Sequence, residues 1–121
     1  MKKIKIIVGD VTIPATLNDT LAAKEFEKRL PFHVTCHDSG IDYCGSTANG
    51  RFDPSEMQIG WKNGDIMQSG GWFALLYGGE EQSKSYGQMM IIGHVDDVER
   101  IRHLPSTIKV TVVEDTSDVP K

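Results

Sequence analysis

The chain has 121 residues, which fits one domain with its own hydrophobic core. Hydrophobic residues make up 39% and the formal net charge is −4, which argues against a disordered chain and against a nucleic-acid surface, normally basic. No apolar run approaches bilayer-spanning length, so no membrane is expected, and the opening MKKIKIIVGDV, broken by Lys5 and ended by Gly9-Asp10, is too short for a signal-peptide core. A cytoplasmic protein is expected, although a leader trimmed from the native gene would leave no mark here.

Ile4, Ile6 and Val8 alternate with polar or neutral positions, and so do Val11, Ile13, Ala15 and Leu17; that is strand periodicity. Gly9-Asp10 between them is a two-residue hairpin turn, and Pro14 predicts an edge or a bulge. NDTLAAKEFEKRLP predicts a short helix capped by Asn18 or Asp19. Ala22, Phe26 and Leu30 form its buried face, Glu25, Lys28 and Arg29 look outward, and Pro31 stops it. In the next strand Phe32, Val34 and Cys36 share one parity, while His33, Thr35 and His37 share the other. A short strand over 41–43 and a loop over 45–56 follow.

Segments 57–61 and 65–68 flank Asn63-Gly64, a strong hairpin signal, and predict a second hairpin. Residues 72–77 form an apolar strand with bulky side chains on both faces, so something covers its outer face, a helix or a ligand; helix packing is the expected cover. GGEEQSKSYG, 78–87, reads as a polar, flexible loop, and 88–92 as a strand ended by Gly93. Asp96 with Glu99 suggests a capped helix that Pro105 ends. Ile108, Val110 and Val112 give a last strand, and 114–121 read as a frayed acidic tail. Seven or eight short strands with two short helices, in a single domain over 1–121, point to a mainly β, closed barrel.

LPFHVTCHDSGIDYCG, 30–45, gathers zinc-type residues: His33, Cys36, His37 and Cys44. Tetrahedral zinc needs four ligands that converge. Strand parity sends Cys36 to one face and both histidines to the other, and H-x2-C-H-x6-C matches no common zinc spacing, so no metal site is expected. There is no G-x-S-x-G elbow and no phosphate loop, and no cofactor is expected. The aromatics Trp61, Trp72, Phe73, Tyr77 and Tyr86 concentrate in the second half beside a Gly-rich loop, a common layout for a binding site.

GQMMIIGHVDDVERI, 87–101, resembles the cyclophilin segment in which an apolar strand turns into a short helix. ATLNDT (15–20), GDI (64–66) and WFALLYG (72–78) occur in the order seen in a small bacterial group, the cyclophilin-like domain proteins. The resemblance covers most of the chain and implies an eight-stranded barrel closed by two helices. True cyclophilins are peptidyl-prolyl isomerases, in which an arginine hydrogen-bonds near the prolyl nitrogen and weakens amide resonance. RFDPSEMQIG, 51–60, echoes that catalytic segment, so the resemblance implies Arg51 as the catalytic arginine, with Met57 and Gln58 shaping the pocket.

The match to the isomerase site is incomplete. Glu56 stands where the pocket phenylalanine belongs, Gln58 comes one residue early, and Met89 replaces a histidine. The expectation is a retained fold without the isomerase site: a non-catalytic barrel that binds a peptide or small molecule near Trp72, Tyr77, Tyr86 and Met89. A weak isomerase using Arg51 and a protein-interaction domain without a pocket are the alternatives.

Overall fold

A computed structural model of the protein describes residues 1–116. β1 (Lys2–Val8) and β2 (Val11–Leu17) form the expected hairpin, with Val8 opposite Val11 across Gly9-Asp10. β2 runs on to α1 (Leu21–Glu27), β3 (Phe32–Asp38) and β4 (Asp42–Ser46). After a loop come β5 (Gln58–Ile59), β6 (Asp65–Ser69), β7 (Trp72–Leu76) and β8 (Gln88–Met89). β9 (Ile91–Val95), α2 (Glu99–Arg102) and β10 (Thr107–Glu114) complete the chain. Eight strands close an antiparallel barrel in the order β1-β10-β3-β4-β7-β6-β9-β2, while β5 and β8 pair as a separate ribbon.

The alternation read from the sequence fills the barrel. Ile4, Ile6, Ile13, Leu17, Val34, Cys36, Val110 and Val112 all point into one core with Tyr43, Phe73 and Leu75. α1 closes the end where β3 and β7 begin, with the Phe26 ring 4.7 Å from Phe32 and 5.9 Å from Phe73. α2 closes the other end through buried Ile101, and the Tyr43 hydroxyl donates to the Leu104 carbonyl there at 2.6 Å.

Local signals were overridden at several points. Pro14 is neither in a bulge nor on an edge strand: it faces Lys5 in unbroken register, just before the stretch where β9 joins β2. Its missing N–H therefore removes no ladder bond to β9. Thr20 caps α1, accepting from Ala23 N at 3.1 Å, because Asn18 is already engaged with Thr20 and the Ile91 carbonyl, and Asp19 with the N-terminal amine. Thr20→Ala is expected to cost about 1 kcal/mol in urea unfolding. Asp96 donates its N–H to the Pro14 carbonyl, so α2 starts later, and Asp97 rather than Asp96 accepts from Glu99 N.

The Asn63-Gly64 hairpin is absent. The turn itself forms, with Gly64 at φ 103° and Asp65 N donating to the Lys62 carbonyl. The chain entering it leaves the barrel, however, because Trp61 is buried on the outside of β7 against Ala74, Leu76 and Ile91. Its indole N–H donates to the Gly78 carbonyl at 2.8 Å. β5 consequently pairs with β8, and β6 makes its hairpin with β7 across Gly70-Gly71. Trp61, rather than a helix, thus covers Ala74 and Leu76 on the outer face of β7, and Trp72 on that face stays half exposed. Segment 78–87 is also more regular than expected: Glu80–Tyr86 is a 3-10 helix, with Ser83 buried and bonded to Trp61 N. Gly93 does not end a strand but sits inside β9. Of the expected tail, Glu114 belongs to β10, Asp115 N donates to the Lys3 carbonyl, and 117–121 lie outside the described residues. No helix among the described residues is long and apolar enough to cross a membrane.

Candidate functional site

The barrel's outer face over β10, β3, β4 and β7 carries a groove of about 760 Å³. One wall is a polar ladder set by register: His33 faces Thr111, Thr35 faces Lys109, and His37 faces Thr107. Parity puts all six outside, since their neighbours Val34, Cys36, Ile108 and Val110 fill the core. His33 Nδ1 lies 3.1 Å from Thr111 Oγ1, and His37 Nδ1 lies 3.1 Å from Thr107 Oγ1, so each ring is held through Nδ1, and neither Nε2 has a hydrogen-bond partner among the described residues. The opposite wall carries Cys44, Ser46 and Trp72, with Trp72 50% exposed. Gly45 forms part of the floor: a Cβ there would lie 2.2 Å from the Thr35 carbonyl oxygen, so the two backbones touch. Lys109, His33 and His37 line the groove, and no carboxylate does among the described residues.

Of the zinc-type residues, parity separates only Cys36; His33, His37 and Cys44 all line the groove, with Cys44 the strand partner of His37. Cys36 points into the core, fully buried, and burial pushes its thiol up to about 12, so it stays neutral and unreactive. Burial, with Asp42 nearby, also raises Cys44. No group of three or more His, Cys, Asp or Glu side chains able to hold a metal occurs among the described residues.

The residues singled out for binding fall into separate places. Trp72 lies in the groove. Tyr77, just past the far end of β7, is roughly 16 Å along the chain from it at strand rise. Its ring packs 5.5 Å from Tyr43 and its hydroxyl donates to Asp38; burial, then that carboxylate, raises it to about 12. Tyr86, Met89 and Gln58 do gather, around Trp61: the Tyr86 ring lies 5.2 Å from the indole, tilted by 52°, Met89 packs on the same cluster, and Gln58 is Met89's strand partner. Gln58 donates its amide to its own neighbour's backbone, the Gly60 carbonyl. Met57 packs against the main core. Arg51 is 79% exposed and leans toward α1, with its guanidinium 3.8 Å from Glu25. Sequence reasoning missed Lys109 and Thr111 as site residues. The signal for half of the wall was present in the outward parity of His33, Thr35 and His37, but their partners lie 70 to 78 residues further along the chain.

A model of the cyclophilin-like family matches residues 6–113. No curated protein matches the chain. Among solved structures, McbB in complex with tryptophan is similar with a TM-score of 0.66 and 17% identity. The match covers 98% of this chain but 46% of McbB, so this chain spans less than half of that protein's length. The solution structure of the hypothetical protein AF2241 from Archaeoglobus fulgidus is similar with a TM-score of 0.68 and 12% identity, covering 94% of this chain and 95% of that one. At these identities the likeness is one of fold.

Proposed function

The chain belongs to the cyclophilin-like family, and from that premise we propose that it is a ligand-binding barrel whose outer groove takes a small planar carboxylate, free or at the end of a peptide. The observation that carries this reading is the half-exposed Trp72 indole in a groove lined by Lys109, His33 and His37 and by no acid. An indole offers a flat apolar platform, and ammonium and imidazole N–H groups offer donors to an anion. The chain as a whole is acidic, so an acid-free concavity is a local departure that favours an anionic guest. Neither a nucleic acid nor a membrane is proposed as a partner, and the site of action is taken to be the cytoplasm.

The isomerase reading is less well supported. Its arginine has to face the prolyl pocket, whereas Arg51 leans toward Glu25 on α1 and Gln58 toward Gly60. Tryptophan is a suitable first probe, since it combines a planar ring with a carboxylate and McbB was solved with it. In NMR titration, tryptophan or a related aromatic carboxylate is expected to shift the resonances of Trp72, His33 and Lys109 saturably. Trp72→Ala is expected to weaken that binding about tenfold or more, in keeping with loss of a stacking anchor. Binding unaffected by Trp72→Ala would move the site elsewhere. Acceleration of cis/trans exchange in a proline peptide, lost on Arg51→Ala, would replace this reading with the isomerase.

A further inference from the structure

On the barrel face away from the groove, β9 lies between β6 and β2, and the register sets His94 directly opposite Asp65 on one side and Thr16 on the other. Asp65 is a buried carboxylate, 7% exposed. It receives two hydrogen bonds: Lys62 N donates to Oδ2 at 2.8 Å, and His94 Nδ1 lies 2.8 Å from Oδ1. An ionised carboxylate only accepts, so Nδ1 carries a proton, and in the neutral imidazole it is Nε2 that presents the lone pair.

That nitrogen has no hydrogen-bond partner among the described residues, and the imidazole is half exposed. Gly64 keeps it open, because a Cβ there would stand 3.1 Å from Nε2 and 2.9 Å from Cε1. The ring lines a pocket of about 340 Å³ with Leu17 and Ile91 as apolar surface and Thr16, Asn18 and Asp96 as polar surface. A fixed tautomer, a desolvated orienting acid and an adjoining pocket are the elements of a general base.

We propose that Asp65 and His94 form a general-base pair that activates water against small, uncharged esters held in this pocket. Nε2 takes a proton from water as the water oxygen bonds to the acyl carbon. The tetrahedral adduct then expels the alcohol oxygen, which takes that proton back from Nε2, leaving acid and alcohol. His94 is the catalytic residue and Asp65 a positioning residue. An uncharged substrate fits a pocket lined by charges of both signs, the Asp65 and Asp96 carboxylates and Met1, whose ammonium pairs with Asp19, in contrast to the acid-free groove across the barrel. This activity is independent of ligand binding at Trp72.

The test is hydrolysis of p-nitrophenyl acetate by the full chain at neutral pH. The expected rate exceeds that of equimolar free imidazole by about 10²-fold, with a normal solvent deuterium isotope effect. His94→Gln is expected to return it to background. In Asp65→Asn the amide oxygen can keep the Lys62 N–H while the NH2 group faces Nδ1, which moves the imidazole proton to Nε2. That variant is expected to lose the activity, with the tautomer change visible in the nitrogen shifts of His94. A rate no faster than imidazole, a rate that survives His94→Gln, or one that survives Asp65→Asn after the tautomer has moved would overturn the proposal. An isotope effect of unity would overturn the water-activating step, since Nε2 would then be attacking the ester itself.

Discussion

Phe26→Ala is expected to destabilise the protein by about 3–5 kcal/mol, the usual range for deleting a buried aromatic ring. Phe26 is 1% exposed and is the main side chain that α1 inserts into the barrel end. Its ring touches Phe32 and Phe73, which lie 5.2 Å from each other, so three rings close that end together. Each such pair adds about 0.5–1.5 kcal/mol beyond area burial. The Arg29 guanidinium lies over the Phe32 ring at 5.0 Å and caps the cluster from outside, so Arg29 is not the purely outward residue its helical position implies. Truncation leaves a cavity beside β3 and β7 that the closed barrel holds open, because its strands cannot collapse inward without breaking ladder bonds. Urea unfolding measures the loss, and Phe26→Leu, which keeps most of the volume, is expected to cost well under half as much. A loss below about 1 kcal/mol for the alanine variant would mean that α1 does not dock as described.

Gly45→Ala is expected to be nearly as damaging, at about 3 kcal/mol, although it adds a single methyl group. The new Cβ would lie 2.2 Å from the Thr35 carbonyl oxygen and 2.8 Å from the Val34 side chain. The first contact is with backbone, which cannot rotate aside, so β3 and β4 must separate. The pairing of these strands runs through His37–Cys44 and Asp38–Tyr43, leaving a short ladder to absorb the strain. Separation also deforms the groove between His33 and Trp72. Thermal unfolding is expected roughly 10 °C or more below the parent. NMR titration with tryptophan on folded variant protein should show weaker binding than the parent; unchanged affinity would separate the groove's shape from the strand contact.

The barrel was largely legible because its signal is local and repeated. A period of two in 4–17, 32–37 and 108–112 assigns each side chain to core or solvent whatever the partner strand is. The two-residue Gly9-Asp10 link likewise leaves the chain no option but to fold back on itself. The order of the matching segments, from ATLNDT to WFALLYG, carried the family resemblance, which the match over 6–113 now supports. The same local logic misled at Asn63-Gly64. There the turn formed, but burial of one indole outweighed a hairpin between flanking residues. At α1 the sequence pointed to Asn18 or Asp19 as the cap, and their engagements elsewhere left that role to Thr20.

The sequence by itself determined which side chains face inward along β1, β3 and β10 and that Cys36 would not meet the two histidines, because alternation is a property of the chain's own geometry. Only the tertiary structure decided which outward residues stand side by side. Closure of the barrel sets Lys109 and Thr111 beside His33, and separates Trp72 from Tyr77 and Tyr86. It also sets Asp65 against His94. Such neighbours are fixed by interstrand register between segments far apart in sequence, and register follows from the combined packing of the closed barrel rather than from any single stretch of chain.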